Sequence, residues 1–254
     1  MLNKNTKAIG WAFIVVTLLV PFTVAAETVS LKIAPPQLGI GTFFAGGNIV
    51  LSGSLPFDGD IIIEVIGPQE NAKFNVKGRV GPFWMNRDKV ELEKAPFLYV
   101  LLLPDVQKLG PQLPSIGVGF EHLKQIITIR PENLDRDTIF DQFVKLKRSE
   151  HLYAQEKDTI HYTPQNKKTK SFEATFHFPA STVPGEYRIA TTILQYNQIM
   201  NRSVHPFRVQ EVGAIKSIHE LAYNKELIYG ILCVIIALFV GAVMGFFFGR
   251  SEAH

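Results

Sequence analysis

From Leu227 to Phe248 the chain reads "LIYGILCVIIALFVGAVMGFFF", without a single charged residue. As a helix rising about 1.5 Å per residue, that run is long enough to cross a hydrocarbon layer about 30 Å thick. A lipid core offers no water to the backbone, so a lone spanning segment must satisfy its N–H and C=O groups internally, as a helix. Lys225 and Glu226 bound the run on one side and Arg250 on the other. This stretch is therefore read as a membrane span and set aside before the rest of the fold is considered.

The opening residues are set aside for a different reason. Lys4 and Lys7 precede an apolar segment, Ile9 to Phe22, and "TVAA" then offers Val24 and Ala26 at the −3 and −1 positions of a signal-peptidase site. The expectation is an export signal over 1–26, cleaved after Ala26. The alternative is a retained anchor, which Pro21 and the shortness of the run disfavour. Export followed by one stop-transfer helix puts residues 27–212 outside the membrane and 249–254 inside, with Arg250 obeying the positive-inside tendency. The expected location is the cytoplasmic (inner) membrane of a bacterium, with the bulk of the chain in the periplasm.

The formal charge of +3 falls to about +1 for the exported part once Lys4 and Lys7 leave and Arg250 offsets Glu252. That balance leaves no footprint for nucleic acid. Two local basic clusters, Lys145 to Arg148 and Lys167 to Lys170, read as solvated faces. The one cysteine, Cys233, sits in the apolar run, so no disulfide staples the exported domain. Roughly 190 residues can hold a core without one.

Most of the exported part alternates like strands. "GNIVLSGSL" (Gly47 to Leu55) and "DIIIEVIGP" (Asp60 to Pro68) are joined by the turn "PFDG". "AKFNVKGRV" and "DKVELEK" follow, then "FLYVLLLP" (Phe97 to Pro104), too short to span a membrane and apolar enough for a strand covered on both faces. A helical insertion is expected near 134–156. There Ile139, Phe140, Phe143, Val144 and Leu146 share one face, Lys145, Lys147 and Arg148 fill the other, and Asp135 or Asp137 caps the start. Strands resume at "KDTIHYTP" and at "SFEATFHFP", whose Phe172, Ala174, Phe176 and Phe178 should face inward. "GEYRIATTILQY" and "IMNRSVHPFRVQ" form a hairpin turning near Asn197 and Gln198. Tyr187, just after a Pro-Gly corner, resembles the tyrosine corner of an immunoglobulin-like sandwich. The expected fold is therefore mainly β: an immunoglobulin-like sandwich of about nine strands with a helical insertion, then a single C-terminal transmembrane helix. Two small β domains around the helix are the alternative. Residues 213–226, with Ile215, Ile218, Leu221 and Ala222, suit a juxtamembrane helix leading to the span at 227–248.

Catalytic signatures are lacking: no GxSxG elbow, no Walker loop, no HExxH or CxxC. If the strands around Lys167 pair, His161 falls opposite Glu173 and His177 lies beyond both, so no metal site is expected. "GTFFAGG" (Gly41 to Gly47) precedes a strand and reads as a tight turn. Asp135 and Asp137 are explained by capping. No cofactor and no enzymatic activity are expected. A hydrolase would require a pocket gathering His122, His151 or His161 with a carboxylate.

Two features point to partners. Ala237, Gly241, Gly245 and Gly249 recur every fourth residue and stack into a shallow helical groove, which favours another transmembrane helix over lipid. The partner would be a second copy or a polytopic transporter. In "GPFWMNRDKV", Trp84 is expected to pack between the sheets and Asn86-Arg87-Asp88 to turn the chain. Trp84, Asn86 and Arg87 otherwise make a docking surface.

The order of parts also carries a resemblance. "GPFWMNRD", "LKRSEHLYA" and "FHFPASTVPGEY" are its main stretches. Within them the specific elements are Trp84-x-Asn86-Arg87, Leu152-Tyr153-Ala154 and the P-x-x-x-V-P-G-x-Y run from Pro179 to Tyr187. Together they resemble a family of alphaproteobacterial transmembrane proteins without an assigned activity. The resemblance implies a signal, a β-rich exported domain and one C-terminal span. It further implies neighbours resembling TauE/SafE-type exporters, and so an accessory subunit beside one; the alternative, which rests on the sandwich loops and the basic clusters, is a tethered binding domain for a small anion or envelope ligand.

Overall fold

The computed structural model describes residues 31–104, 113–196 and 198–248, with the side chains of 77, 78, 80, 84 and 86–88 also outside the description. The export signal, Gly249 and the tail therefore lie outside the described residues. The fold is mainly β.

Thirteen strands are described: β1 (Lys32–Ala34), β2 (Gln37–Ile40), β3 (Gly47–Pro56), β4 (Gly59–Ile66), β5 (Gln69–Val80), β6 (Phe83–Pro96), β7 (Tyr99–Leu103), β8 (Thr128–Arg130), β9 (Tyr153–Lys157), β10 (Ile160–Pro164), β11 (Thr169–Phe178), β12 (Gly185–Gln195) and β13 (Gln198–Glu211). Helices α1 (Leu113–Ile116), α2 (Phe120–Ile126) and α3 (Arg136–Ser149) lie between β7 and β9, and α4 (Ala214–Asn224) and α5 (Glu226–Phe248) close the chain. The four strands beyond the expected nine include β1, β2, β8 and β9. Each has five residues or fewer, too few for alternation to register.

One sheet runs β1-β3-β11-β10 and a second runs β2-β13-β12-β4-β7-β9. The turn after Pro56 thus carries the chain from one sheet to the other. β1 pairs antiparallel with β3, and β2, past a cis Ala34–Pro35 bond, pairs parallel with β13. The inner faces meet in one apolar cluster. Ile49, Leu51, Phe172, Ala174, Phe176 and Phe178 from the first sheet join Ile61, Ile63, Val65, Tyr187, Ile189 and Phe207 from the second. Phe178 stacks against Phe207 at 5.7 Å and meets the Tyr187 ring edge-on at 5.3 Å. The inward set expected for β11 is the observed one. The cluster continues through Val90, Leu92 and Ile129 to Phe140 and Phe143, so one core runs through the sheets and under α3.

Corrections concentrate in the middle of the chain. Asn86-Arg87-Asp88 does not turn; it lies within β6, paired to β5. The turn is Gly81-Pro82, because a two-residue hairpin loop needs a positive φ at its first position and Gly81 supplies it (φ 63°). Where Trp84 packs lies outside the described side chains. The expected helix occupies Arg136–Ser149, capped by Asp135. Leu146 is exposed and Lys147 is buried, the reverse of the expectation. Lys147 brings its ammonium to 5.1 Å and 5.8 Å from the Phe97 and Phe143 ring centroids and to 2.5 Å from the Glu70 carboxylate, so a paired cation over two rings occupies this buried position. Residues 153–156, at the end of the expected helical range, belong instead to β9, an edge strand parallel to β7.

Candidate functional site

From Ile61 to Ile66, strand β4 is apolar on both faces except at Glu64. Ile61, Ile63 and Val65 enter the core between the sheets, while Ile62, Glu64 and Ile66 face outward. An outward strand face normally meets water. Here α1 and the residues after it cover it: Leu113, Ile116 and Val118 cap Ile62, Leu101, Leu103 and Leu194. Glu64 is trapped beside that cap with only 2% of its surface exposed.

Its partners come from three elements. Tyr99 of β7 donates its hydroxyl proton to Glu64 Oε1 at 2.6 Å and accepts the Gly119 N–H at 2.9 Å. Gly119 reaches that position with φ 90°, a conformation that suits glycine. Arg202, across the sheet on β13, brings Nη2 to 3.3 Å from Glu64 Oε2. Burial pushes the Glu64 carboxyl above its ordinary range, and Tyr99, Arg202 and His122 pull it partly back. Burial, then the charge of Glu64, drives the Tyr99 phenol far upward, so it remains a donor.

Beside this cluster opens a cavity of about 210 Å³, room for roughly seven waters by their share of liquid volume. His122, Leu123 and Ile126 of α2 form one wall, and Gln69, Lys94 and Pro96 at the base of the β5–β6 hairpin form another. The floor is Glu64, Ile66, Arg188, Ala190, Arg202 and Val204. The register accounts for this grouping, with Ile66 opposite both Tyr99 and Arg188 and Val204 opposite Ala190. Lys94 is a non-glycine residue at φ 62°, beside an irregularity where two residues of β6 oppose one of β5. Such bulges re-aim a side chain, here into the cavity wall. Three cationic side chains thus line the cavity that holds one carboxylate, with Arg202 paired to it. Among the described residues neither Lys94 nor Arg188 has a carboxylate partner.

The residues singled out in the sequence lie elsewhere, His122 excepted. His161 pairs opposite Glu173, as the register argument required, on the outer face of the four-stranded sheet; His177 is bound to Asn48 at 2.6 Å. His151 sits exposed at the end of α3. Asp135 caps α3, and its bond to Thr138 holds its carboxyl below the ordinary range; Asp137 pairs with Lys124 at 2.7 Å. Of the basic clusters, Lys147 is buried, Arg148 covers the Phe120 ring and Lys170 covers Tyr162, so they are not merely solvated faces. Ala237, Gly241 and Gly245 follow one another along α5, and a Cβ at either glycine would meet nothing within 4 Å. Trp84, Asn86 and Arg87 lie on β6, with their side chains outside the description. Glu64, Lys94, Tyr99, Arg188 and Arg202 were not singled out. The available signal was Glu64 itself, the one charge inside "IIIEVI".

Over residues 28–250 the chain matches the family described as "Putative transmembrane protein (Alph_Pro_TM)". It belongs to that family. The resemblance drawn from Trp84 to Arg87, Leu152 to Ala154 and Pro179 to Tyr187 is thereby shown, and α5 is a helix long and apolar enough to span. No curated protein matches the chain.

Proposed function

We propose that this chain is a non-enzymatic, membrane-anchored binding protein whose β domain takes a small organic anion into the pocket beside Glu64. The observation that carries the reading is the surplus of Lys94, Arg188 and Arg202 over one buried carboxylate, inside walls of Ile66, Leu123, Ile126, Ala190 and Val204. Cations fix an anionic head and apolar walls take a short body, the usual division of labour in a ligand site. His122 and Glu64 do share this pocket, as a hydrolase would require. Glu64, however, is already committed to Tyr99 and Arg202, and among the described residues no Ser, Thr or Cys is in the lining, which favours binding over turnover.

The strand order supports an immunoglobulin-like reading of the domain, as does Tyr187, whose hydroxyl returns to the Val183 carbonyl at 2.9 Å. The domain faces the periplasm, the anchor crosses the bacterial inner membrane and the C-terminus is cytoplasmic. A second reading, an accessory subunit packed against another membrane helix such as that of a TauE/SafE-like exporter, is supported by the open space around Gly241 and Gly245. Loss of a co-purifying membrane protein in Gly241→Leu and Gly245→Leu would support it; recovery of a lone chain either way would not.

Thermal unfolding of the full chain in detergent, with hexanoate, hexanesulfonate and inorganic phosphate as probes, tests the binding reading. A ligand at a hundredfold its Kd adds about 2.7 kcal/mol, a rise in Tm of roughly 5–10 °C for a domain this size. The rise should vanish in Arg188→Ala and Lys94→Ala. No shift with any probe, or a shift indifferent to both substitutions, overturns it.

A further inference from the structure

Helix α4 follows the last strand of the β domain and is parted from the spanning helix by Lys225 alone. The backbone of Lys225 is non-helical (φ −139°, ψ 55°), so α4 and α5 are two rods meeting at an angle, not one. At about 1.5 Å per residue, the 11 residues of α4 keep all of it within about 17 Å of the point where α5 enters hydrocarbon, whatever its tilt.

At 100° per residue, Ala214, Ile215, Ile218, Leu221 and Ala222 fall within an arc of about 120°. Lys216, Ser217, Glu220 and Asn224 occupy the other side, with Lys216 and Glu220 paired at 3.8 Å. The polar flank faces the β domain: His219 Nδ1 lies 3.2 Å from the Glu211 carboxylate at the end of β13, and the imidazole stacks on Tyr223. No side chain of α4 is buried, and Ile218 is 56% exposed. The apolar arc is therefore uncovered among the described residues, on a helix tied by its polar side to the protein and continuous with a membrane span.

We propose that α4 lies in the headgroup layer of the same bilayer that α5 crosses, with Ala214, Ile215, Ile218 and Leu221 dipping into the acyl boundary. This is how a short amphipathic helix satisfies both of its faces at an interface. Through Glu211 and His219, it holds the adjoining end of the six-stranded sheet close to the lipid surface, instead of leaving the domain on a loose tether.

The test uses the full chain with Cys233→Ser, carrying one of Ala214→Cys, Ser217→Cys, Ile218→Cys or Glu220→Cys, each labelled with an environment-sensitive fluorophore. All four side chains are exposed, so none of these changes disturbs the core. In phosphatidylcholine–phosphatidylglycerol nanodiscs, labels at 214 and 218 should be quenched by doxyl-labelled lipid several-fold more than those at 217 and 220. Aqueous iodide should show the reverse order. Equal access of iodide to all four positions overturns the proposal, because α4 then stands in water. Shielding of position 218 from both quenchers overturns it too, because a protein surface then covers the arc.

Discussion

Glu64 and Lys94 each break a local rule, and both breaks point into the same cavity. Because burial raises the Glu64 carboxyl, the native state holds that proton more tightly than the unfolded chain does. The native state is therefore penalised as pH rises through the unfolded value and then the native one, and the penalty is complete above the latter. Glu64→Gln removes it. Near neutral pH the variant should gain on the order of 1 kcal/mol, since Arg202 is exposed enough to rehydrate. The gain should close at about pH 3, below the unfolded carboxylate range. A gain unchanged in acid would mean that the charge of Glu64 is not its source. The same variant should bind anionic probes several-fold more tightly, a like charge having left the site. Lys94 complements this: a lysine at φ 62° is strained by about 1 kcal/mol relative to glycine. Lys94→Gly should raise Tm while weakening anion binding; a rise in both would remove Lys94 from the site.

At the scale of elements, legibility followed the regularity of the local pattern. β11 was read correctly because Phe172, Ala174, Phe176 and Phe178 alternate strictly with polar residues, and β7 because five apolar residues are too few for anything but a covered strand. The β5–β6 hairpin was misread because Asn86-Arg87-Asp88 has turn composition, whereas the turn is decided by the sign of φ at Gly81. The outer face of α3 departs from the pattern at Lys147, whose charge is tolerated in a buried position only because Glu70 and the Phe97 and Phe143 rings meet its ammonium there. The pocket was beyond reach for a related reason. Its residues come from β4, β5, β6, β7, β12, β13 and α2, and only the tertiary arrangement of sheet and helix brings them together. One element does carry its own signature. The Tyr187 hydroxyl bond to Val183 closes the corner before β12, and Tyr187→Phe should cost about 1 kcal/mol without altering the secondary structure measured by circular dichroism.

For the whole molecule, the absence of cysteine outside α5 leaves cohesion to the apolar core alone. That core is continuous: the Phe74 and Phe143 rings are 6.2 Å apart, Phe143 meets Tyr153 edge-on at 5.5 Å, and Tyr153 lies 6.1 Å from Tyr99 in the six-stranded sheet. The insertion is thus not an appendage on a finished sandwich. It completes the outer face of the sheet and supplies a wall of the pocket, so its loss should be felt throughout the domain. Phe143→Ala, which empties a fully buried ring position, should destabilise by about 3–5 kcal/mol. The decisive readout is cooperativity. If the core is one unit, calorimetry and near-ultraviolet circular dichroism will show a single transition that moves down as a whole, together with the anion-dependent shift. A split into two transitions, with the strands around Phe178 and Tyr187 keeping the wild-type midpoint, would make the insertion a separate folding unit and detach the pocket from the stability of the sandwich.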